Sequence, residues 1–299
     1  MKQRLARRSV LAGAGTMAVA PTWAARRPLD LAQAKDSLTT VVKLRGDLAG
    51  GRVLQWYIGY LALLVPGRMP TPVASYQGVI RTDWTPQPDG SYGYRTFDLG
   101  FFGDLATGRY AERIVNPITG ATLEPMQVRD GPVTSIYSVH GVFRDGAKPD
   151  PAKALSLPWQ SAGDQIWYVA DLPFEYANPL PPNQFPKVSN SERVFQRNRF
   201  AYKGRRSELE DDTTTRAPSE TIMLATSTVH PWLEMGAMPA TQQIQTVAHK
   251  IDTLDQTSPE MRDFLDRHFP DFLTIDVPFV SPGNSFERYK RERLGILPK

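Results

Sequence analysis

The sequence predicts an all-β fold: an antiparallel barrel of the lipocalin or calycin kind, or else a strongly curved sheet, braced by short N- and C-terminal helices. Three observations lead there. Between about residues 51 and 250, runs rich in Val, Ile, Tyr, Phe and Trp alternate with Pro, Gly, Asn and Asp, the pattern of strands and turns. Apolar residues recur with helical period only near the two ends. Polar residues interleave with the aromatic ones along the strands, as a ligand-holding barrel requires.

Asp30 to Leu44 reads as a helix, with Asp30 as cap, Gln33 in the capping-box position and Leu31, Ala34, Leu38, Val41 and Val42 as one apolar stripe. The run "RVLQWYIGYLALLV" is apolar at both parities, which predicts a strand buried on both faces. "ASYQGVIRTDW" and "YGYRTFDLGFF" flank Asp89-Gly90, a hairpin signal. In "NPITG", Pro117 fixes one turn position and Gly120 relieves another, so a second hairpin is expected. "TSIYSVHGVFRD", "GDQIWYVADLPFEY", "RVFQRNRFAYKG", "SETIMLATSTV" and "TQQIQTVAHKI" bring the count to about nine strands. Residues 204–220 read as a charged surface connection. In "TSPEMRDFLDRHFP", Ser258 or Thr257 caps a helix carrying Met261, Phe264, Leu265 and His268 on one face. Ser285 to Leu294 forms another, with Phe286 and Tyr289 on one side. No linker divides the chain, so residues 25–299 are expected to be a single β-rich domain with a C-terminal helical extension.

Residues 1–24 read as a signal peptide. Lys2, Arg4, Arg7 and Arg8 precede a short apolar run, Val10 to Ala20, and a small-residue exit at Thr22-Trp23-Ala24. Arg7-Arg8-Ser9-Val10-Leu11 matches the twin-arginine type, which carries folded proteins. The run falls short of the ~20 apolar residues a membrane span needs, so no stable insertion is expected after cleavage. The leader removes four of 35 basic residues and no acidic one, leaving 31 basic against 31 acidic residues. A neutral mature protein lacks the cationic surplus that phosphate neutralisation demands, which excludes a nucleic-acid binder. With no cysteine there is neither a disulfide staple nor a thiolate metal site.

At "KLRGDLAGGRV", "ERIVNPITGATLEPMQVRDGPV" and "VHPWLEMG" the chain resembles the domain-of-unknown-function 1838 family, over nearly all of the mature length. Its Asn-Pro-x-Thr-Gly turn is matched by Asn116, Pro117, Thr119 and Gly120. Where the family pattern reads Asp-Pro-Val, this chain reads Asp130-Gly131-Pro132-Val133. The resemblance implies a fold and an export habit, and carries over no catalytic residue.

Candidate chemistry therefore rests on the residues themselves. His140, placed by alternation on a mixed strand face, is one candidate proton-transfer group; His230 with Glu234 at i and i+4 beside Trp232 is the other. In "FQRNRFAYKG" one parity carries Arg197 and Arg199, the other Gln196, Asn198, Phe200 and Tyr202. Either face suits a barrel interior, the first clamping a carboxylate and the second orienting an oxygenated ligand. Trp167, which alternates with Val169, Asp171 and Glu175, is a further candidate ligand contact, the two carboxylates being either rim groups or simply polar strand ends. No HExxH, GxSxG, phosphate-loop or dinucleotide motif occurs, so neither metal nor cofactor is expected. The pattern points to a periplasmic or otherwise exported protein binding a small apolar oxygenated molecule (aromatic, terpenoid or polyketide-like), with cofactor-free isomerase, cyclase or lyase chemistry. A non-catalytic carrier and an envelope interaction protein are the alternatives; the twin-arginine export machinery is the expected protein partner.

Overall fold

In the computed structural model, residues 28–144, 147, 149–275 and 284–296 are described; the leader and its arginines lie outside them. The strands are β1 (Gly51–Leu64), β2 (Thr71–Pro86), β3 (Tyr92–Gly103), β4 (Ile114–Val115), β5 (Thr122–Leu123), β6 (Val128–Ser138), β7 (Gly141–Arg144), β8 (Gln160–Ala162), β9 (Gln165–Ala177), β10 (Arg193–Arg205), β11 (Glu220–Thr228) and β12 (Thr241–Ile251). Ten of them form one antiparallel sheet in the order β7-β6-β3-β2-β1-β12-β11-β10-β9-β8, curled into a half-barrel. The sheet does not close, so of the two expected architectures the strongly curved sheet is the one adopted. Its edges, β7 and β8, are four and three residues long, short enough to limit edge-to-edge pairing.

The first and last long strands meet in the middle: β1 pairs with β2 on one side and β12 on the other. That central place explains the apolar character of β1 at both parities. Even-numbered residues such as Leu54 face the convex side, where α3 (Pro259–His268) lays Met261, Phe264 and Leu265 against Val79, Phe97, Leu99 and Phe101. Ser258 caps α3, its Oγ accepting from the Met261 amide at 3.0 Å, as its sequence pattern predicts. Farther along β1, Ile58 and Tyr60 stay exposed because α3 does not extend over them.

Odd-numbered β1 residues face the concave side, which is covered only at its ends. At one end, α1 (Ala34–Arg45) packs Leu38, Val41, Val42 and Leu44 on Val53, Trp84, Ile166 and Tyr168. The helix starts later than expected: Gln33 is its N-cap without a side-chain cap bond, and Asp30 instead accepts from the Ala32 amide in a preceding turn. At the other end, a 3-10 turn (Pro231–Leu233) and α4 (Ser285–Glu292) bring Trp232, Leu233, Phe286 and Tyr289 onto Leu61, Tyr76 and Phe102. The β4–β5 hairpin is locked to this plug: Asn116 Nδ2 donates to the Leu233 carbonyl at 2.8 Å, while its Oδ1 accepts from the Ile118 amide at 2.9 Å. The "NPITG" and "VHPWLEMG" segments are thus two halves of one end-plug. The charged 204–220 connection contains a short helix, α2 (Arg206–Leu209), whose Leu209 is buried beneath α1.

The Asp130–Val133 segment lies within β6. There, Gly131 and Pro132 stand opposite the single residue Phe97, since Thr96 pairs with Val133 and Asp98 with Asp130. Two residues against one make a β-bulge, and Gly131 meets the turn with φ 119°. Proline is tolerated in a strand at such a point. No helix among the described residues is long and apolar enough to cross a membrane.

Candidate functional site

Between its two covered ends the concave face is an open trough. Residues paired across strands share a face, so Thr96 and Asp98 of β3 stand beside Val133 and Asp130 of β6, and Asn198 of β10 beside Leu172 of β9. Val133, Leu172 and Phe174 are 51%, 48% and 45% exposed. They give the trough an apolar wall on each side, and such uncovered apolar surface marks a binding site more often than chance. Two surface grooves of about 640 and 450 Å³ lie elsewhere, one beside Leu64–Arg68 and one beside Tyr110 and Phe264; neither includes Asp98.

On the trough floor the Tyr57 hydroxyl donates to Asp98 Oδ1 at 2.9 Å and lies 3.0 Å from the Tyr76 hydroxyl. Tyr57 reaches across two strands because Gly78 and Gly100 leave the space: a Cβ at either would stand 2.2 Å from its oxygen. Mid-strand glycines often mark such a close approach. Burial, reinforced by the Asp130 charge and opposed by the Tyr57 hydrogen bond, pushes the Asp98 carboxyl up to about 7. Asp130 opens to solvent, yet lies deep enough among protein atoms for burial to raise its pKa, with Arg288 opposing. A carboxyl titrating near neutrality beside a phenol is equipped to take up and return a proton.

At the α1 end, Arg45 is ringed by tyrosines. Its guanidinium lies 4.4, 5.3 and 5.4 Å from the ring centres of Tyr202, Tyr94 and Tyr137. It donates to the Tyr137 hydroxyl, and to that of Tyr94 at 3.4 Å. Its Nε is buried without a partner. Burial opposes the charge, but the surrounding tyrosine oxygens outweigh it and hold the guanidinium above its ordinary pKa. Burial also raises the pKa of Tyr137, Tyr168 and Tyr202, with the Arg45 charge opposing.

The residues singled out in the sequence fall in several places. Asn198 and Tyr202 do face the trough; Asn198 Oδ1 accepts from Gln196 at 2.9 Å, and Tyr202 stacks 5.0 Å from Tyr168. Arg197 occupies the convex side and forms a bidentate pair with Asp171, at 2.8 and 2.5 Å. Trp167 shares that outer face, opposite Lys203, while its neighbour Tyr168 points inward. His140 is not a strand residue. It occupies the two-residue turn between β6 and β7, with Nδ1 3.0 Å from the Lys153 carbonyl, because Gly141 (φ 132°) turns the chain there.

His230 and Glu234 do not form the expected pair. The turn stops after Leu233, Glu234 adopts φ 48°, and its carboxylate pairs with Lys187 at 2.8 Å. His230 Nδ1 is buried without a partner, and burial, with Arg288 adding, lowers its pKa to about 4. Trp232 is core, 5.1 Å from Phe102. Among the described residues, no three His, Cys, Asp or Glu side chains gather as a metal site.

The sequence reading missed Asp98, Tyr57 and Arg45. The signal for Asp98 is its parity: Tyr92, Tyr94, Thr96, Asp98, Gly100 and Phe102 share one face, with a single carboxylate among aromatic and small residues.

A family model described as "Protein of unknown function (DUF1838)" matches residues 51–285. No curated protein matches the chain. A solved structure of MucB in complex with MucA(peri) aligns with 73% of this chain and 93% of its own at 9% identity, with a TM-score of 0.15, too low to bear on fold or function.

Proposed function

The chain belongs to the DUF1838 family, and we propose that its trough binds a small molecule with an apolar body and an oxygen function, on which Asp98 and Tyr57 carry out acid/base chemistry. The observation that carries this reading is the partly exposed Asp98 carboxyl, held from beneath by the buried Tyr57 hydroxyl, between apolar walls. Asp98 takes a proton from carbon and returns it, while the Tyr57 hydroxyl, donating to Asp98 Oδ1, holds the carboxyl in place. Isomerisation, elimination and cyclisation by way of an enolate each begin with that step. The proton-moving role expected of His140, or of His230 with Glu234, passes to Asp98.

The test is native mass spectrometry of protein isolated from its host, followed by proton exchange of any released compound in D2O. Wild-type protein should exchange one carbon-bound hydrogen, and Asp98→Asn should slow this by ~10²-fold or more. Release of no compound counts against binding. A bound compound that does not exchange leaves a carrier, the second reading, which the apolar walls favour on their own. We also propose export through the twin-arginine machinery to the periplasm or beyond. An exported protein whose N-terminus follows Ala24 would support this; an uncleaved chain in the cytoplasm would not.

A further inference from the structure

We propose that Arg45 and its tyrosine cage form the receptor for a carboxylate on the trough ligand, so that the ligand class is an elongated apolar acid. This rests on the trough being the binding site, and it names the chemistry that the site takes.

A half-buried guanidinium, as that of Arg45 is, normally keeps a carboxylate beside it, because desolvating an unpaired charge is costly. Here no carboxylate pairs with Arg45 among the described residues; its partners are phenols. One donor, Nε, has no partner and almost no contact with solvent. The cation is instead held by ring faces, with Tyr202 nearest at 4.4 Å, an arrangement that stabilises charge without neutralising it.

Position is fixed independently of charge. Arg45 ends α1, where the helix dipole favours a cation, and Gln55 Nε2 donates to its carbonyl at 3.4 Å. Each phenol that accepts from Arg45 retains a hydroxyl proton. An incoming carboxylate would therefore meet the guanidinium fork and two O–H donors together, a geometry suited to planar anions.

The register supplies a length. Tyr94, beside Arg45, and Asp98 lie on the same face of β3, four residues apart, which is about 13 Å of strand. A carboxylate at the cage thus places the far end of an extended acid over Asp98, with its body between Thr96, Val133 and Leu172.

The probes are ω-phenylalkanoates from phenylpropionate to phenylheptanoate and their methyl esters, measured by calorimetry with the full chain. Acids should bind at least tenfold more tightly than their esters, with affinity rising along the series until the chain spans the trough. Arg45→Met should abolish the preference, and Arg45→Lys, which keeps the charge, should retain part of it. The acid-over-ester preference is read without turnover, so a failure of proton exchange sinks the acid/base reading and leaves this inference standing. Equal binding of acid and ester, no binding of any acid at millimolar concentration, or an acid preference that survives in a folded Arg45→Met protein overturns it.

Discussion

Asp98 and His230 carry opposite pH signatures, and each belongs to a single buried atom group. The folded Asp98 carboxyl titrates near 7 rather than at its ordinary 3.8. Between those values the folded protein keeps a proton that the unfolded chain has released. Its contribution to stability is therefore greatest below the unfolded pKa and is lost as pH rises through 7. Relative to wild type, Asp98→Asn should gain stability steadily from pH 4 to pH 8, as read by urea midpoints, while losing turnover; equal midpoints throughout would count against the raised pKa. For His230, depressed to about 4, the sign reverses: stability present above the unfolded value near 6.5 is lost as pH falls toward 4, by on the order of 3 kcal/mol at most. His230→Asn should flatten that acid limb. An unchanged acid limb would mean that the ring is already solvated.

Among the elements, β1, β2 and β3 are bound together by Tyr57 crossing over two glycines. Gly100→Ala would normally favour a strand, yet its Cβ would stand 2.2 Å from the Tyr57 hydroxyl, inside a buried cluster where overpacking costs about 1–3 kcal/mol. The single variant should be destabilised by that amount. In Tyr57→Phe the obstructing oxygen is gone and the nearest remaining atoms are the Gln77 carbonyl oxygen at 3.0 Å and the ring carbon at 3.2 Å, so Gly100→Ala should cost less there. Additive effects in this double-mutant cycle would show that Tyr57 does not occupy the slot. The α1 end is held differently: Lys250 Nζ donates to the carbonyls of Lys43, Gly46 and Ala217 at 2.7, 2.8 and 3.0 Å. Those bonds favour its protonated form, against the burial that pulls its pKa down to about 7. This clamp fixes the helix end from which Arg45 projects.

What could be read in sequence divides along the same lines. α3 and α4 were legible because caps and stripes are local: Ser258 and the Phe286–Tyr289 spacing suffice. The amide and aromatic face of β10 was legible as a face, since alternation fixes parity. Which parity points inward is decided by curvature, a property of the whole sheet, and so Trp167 and Arg197 remained ambiguous. His140 was misread because alternation was carried through Gly141, where the chain turns. Arg45 left no trace in the sequence, since a basic residue in a last helical turn is ordinary and its four tyrosines come from strands far apart in the chain.

For the molecule as a whole, stability is distributed unevenly. Without cysteine, it depends on burial, which is concentrated under α3 on one face and at the two ends of the other. Between those ends the apolar trough walls, Val133, Leu172 and Phe174, stay exposed, and they stand on β6 and β9, next to the short edge strands β7 and β8. A ligand that fills this gap binds the folded state alone, and it should stabilise by about 2.7 kcal/mol at a concentration 100 times its Kd. It should also bridge the two walls. Amide exchange should then slow in β6 and β9, which flank the ligand, more than in β1 and β12, which are already paired on both sides at the centre of the sheet. Uniform slowing would indicate global stabilisation without a bridge, and slowing confined to the Leu64–Arg68 groove would place binding outside the trough.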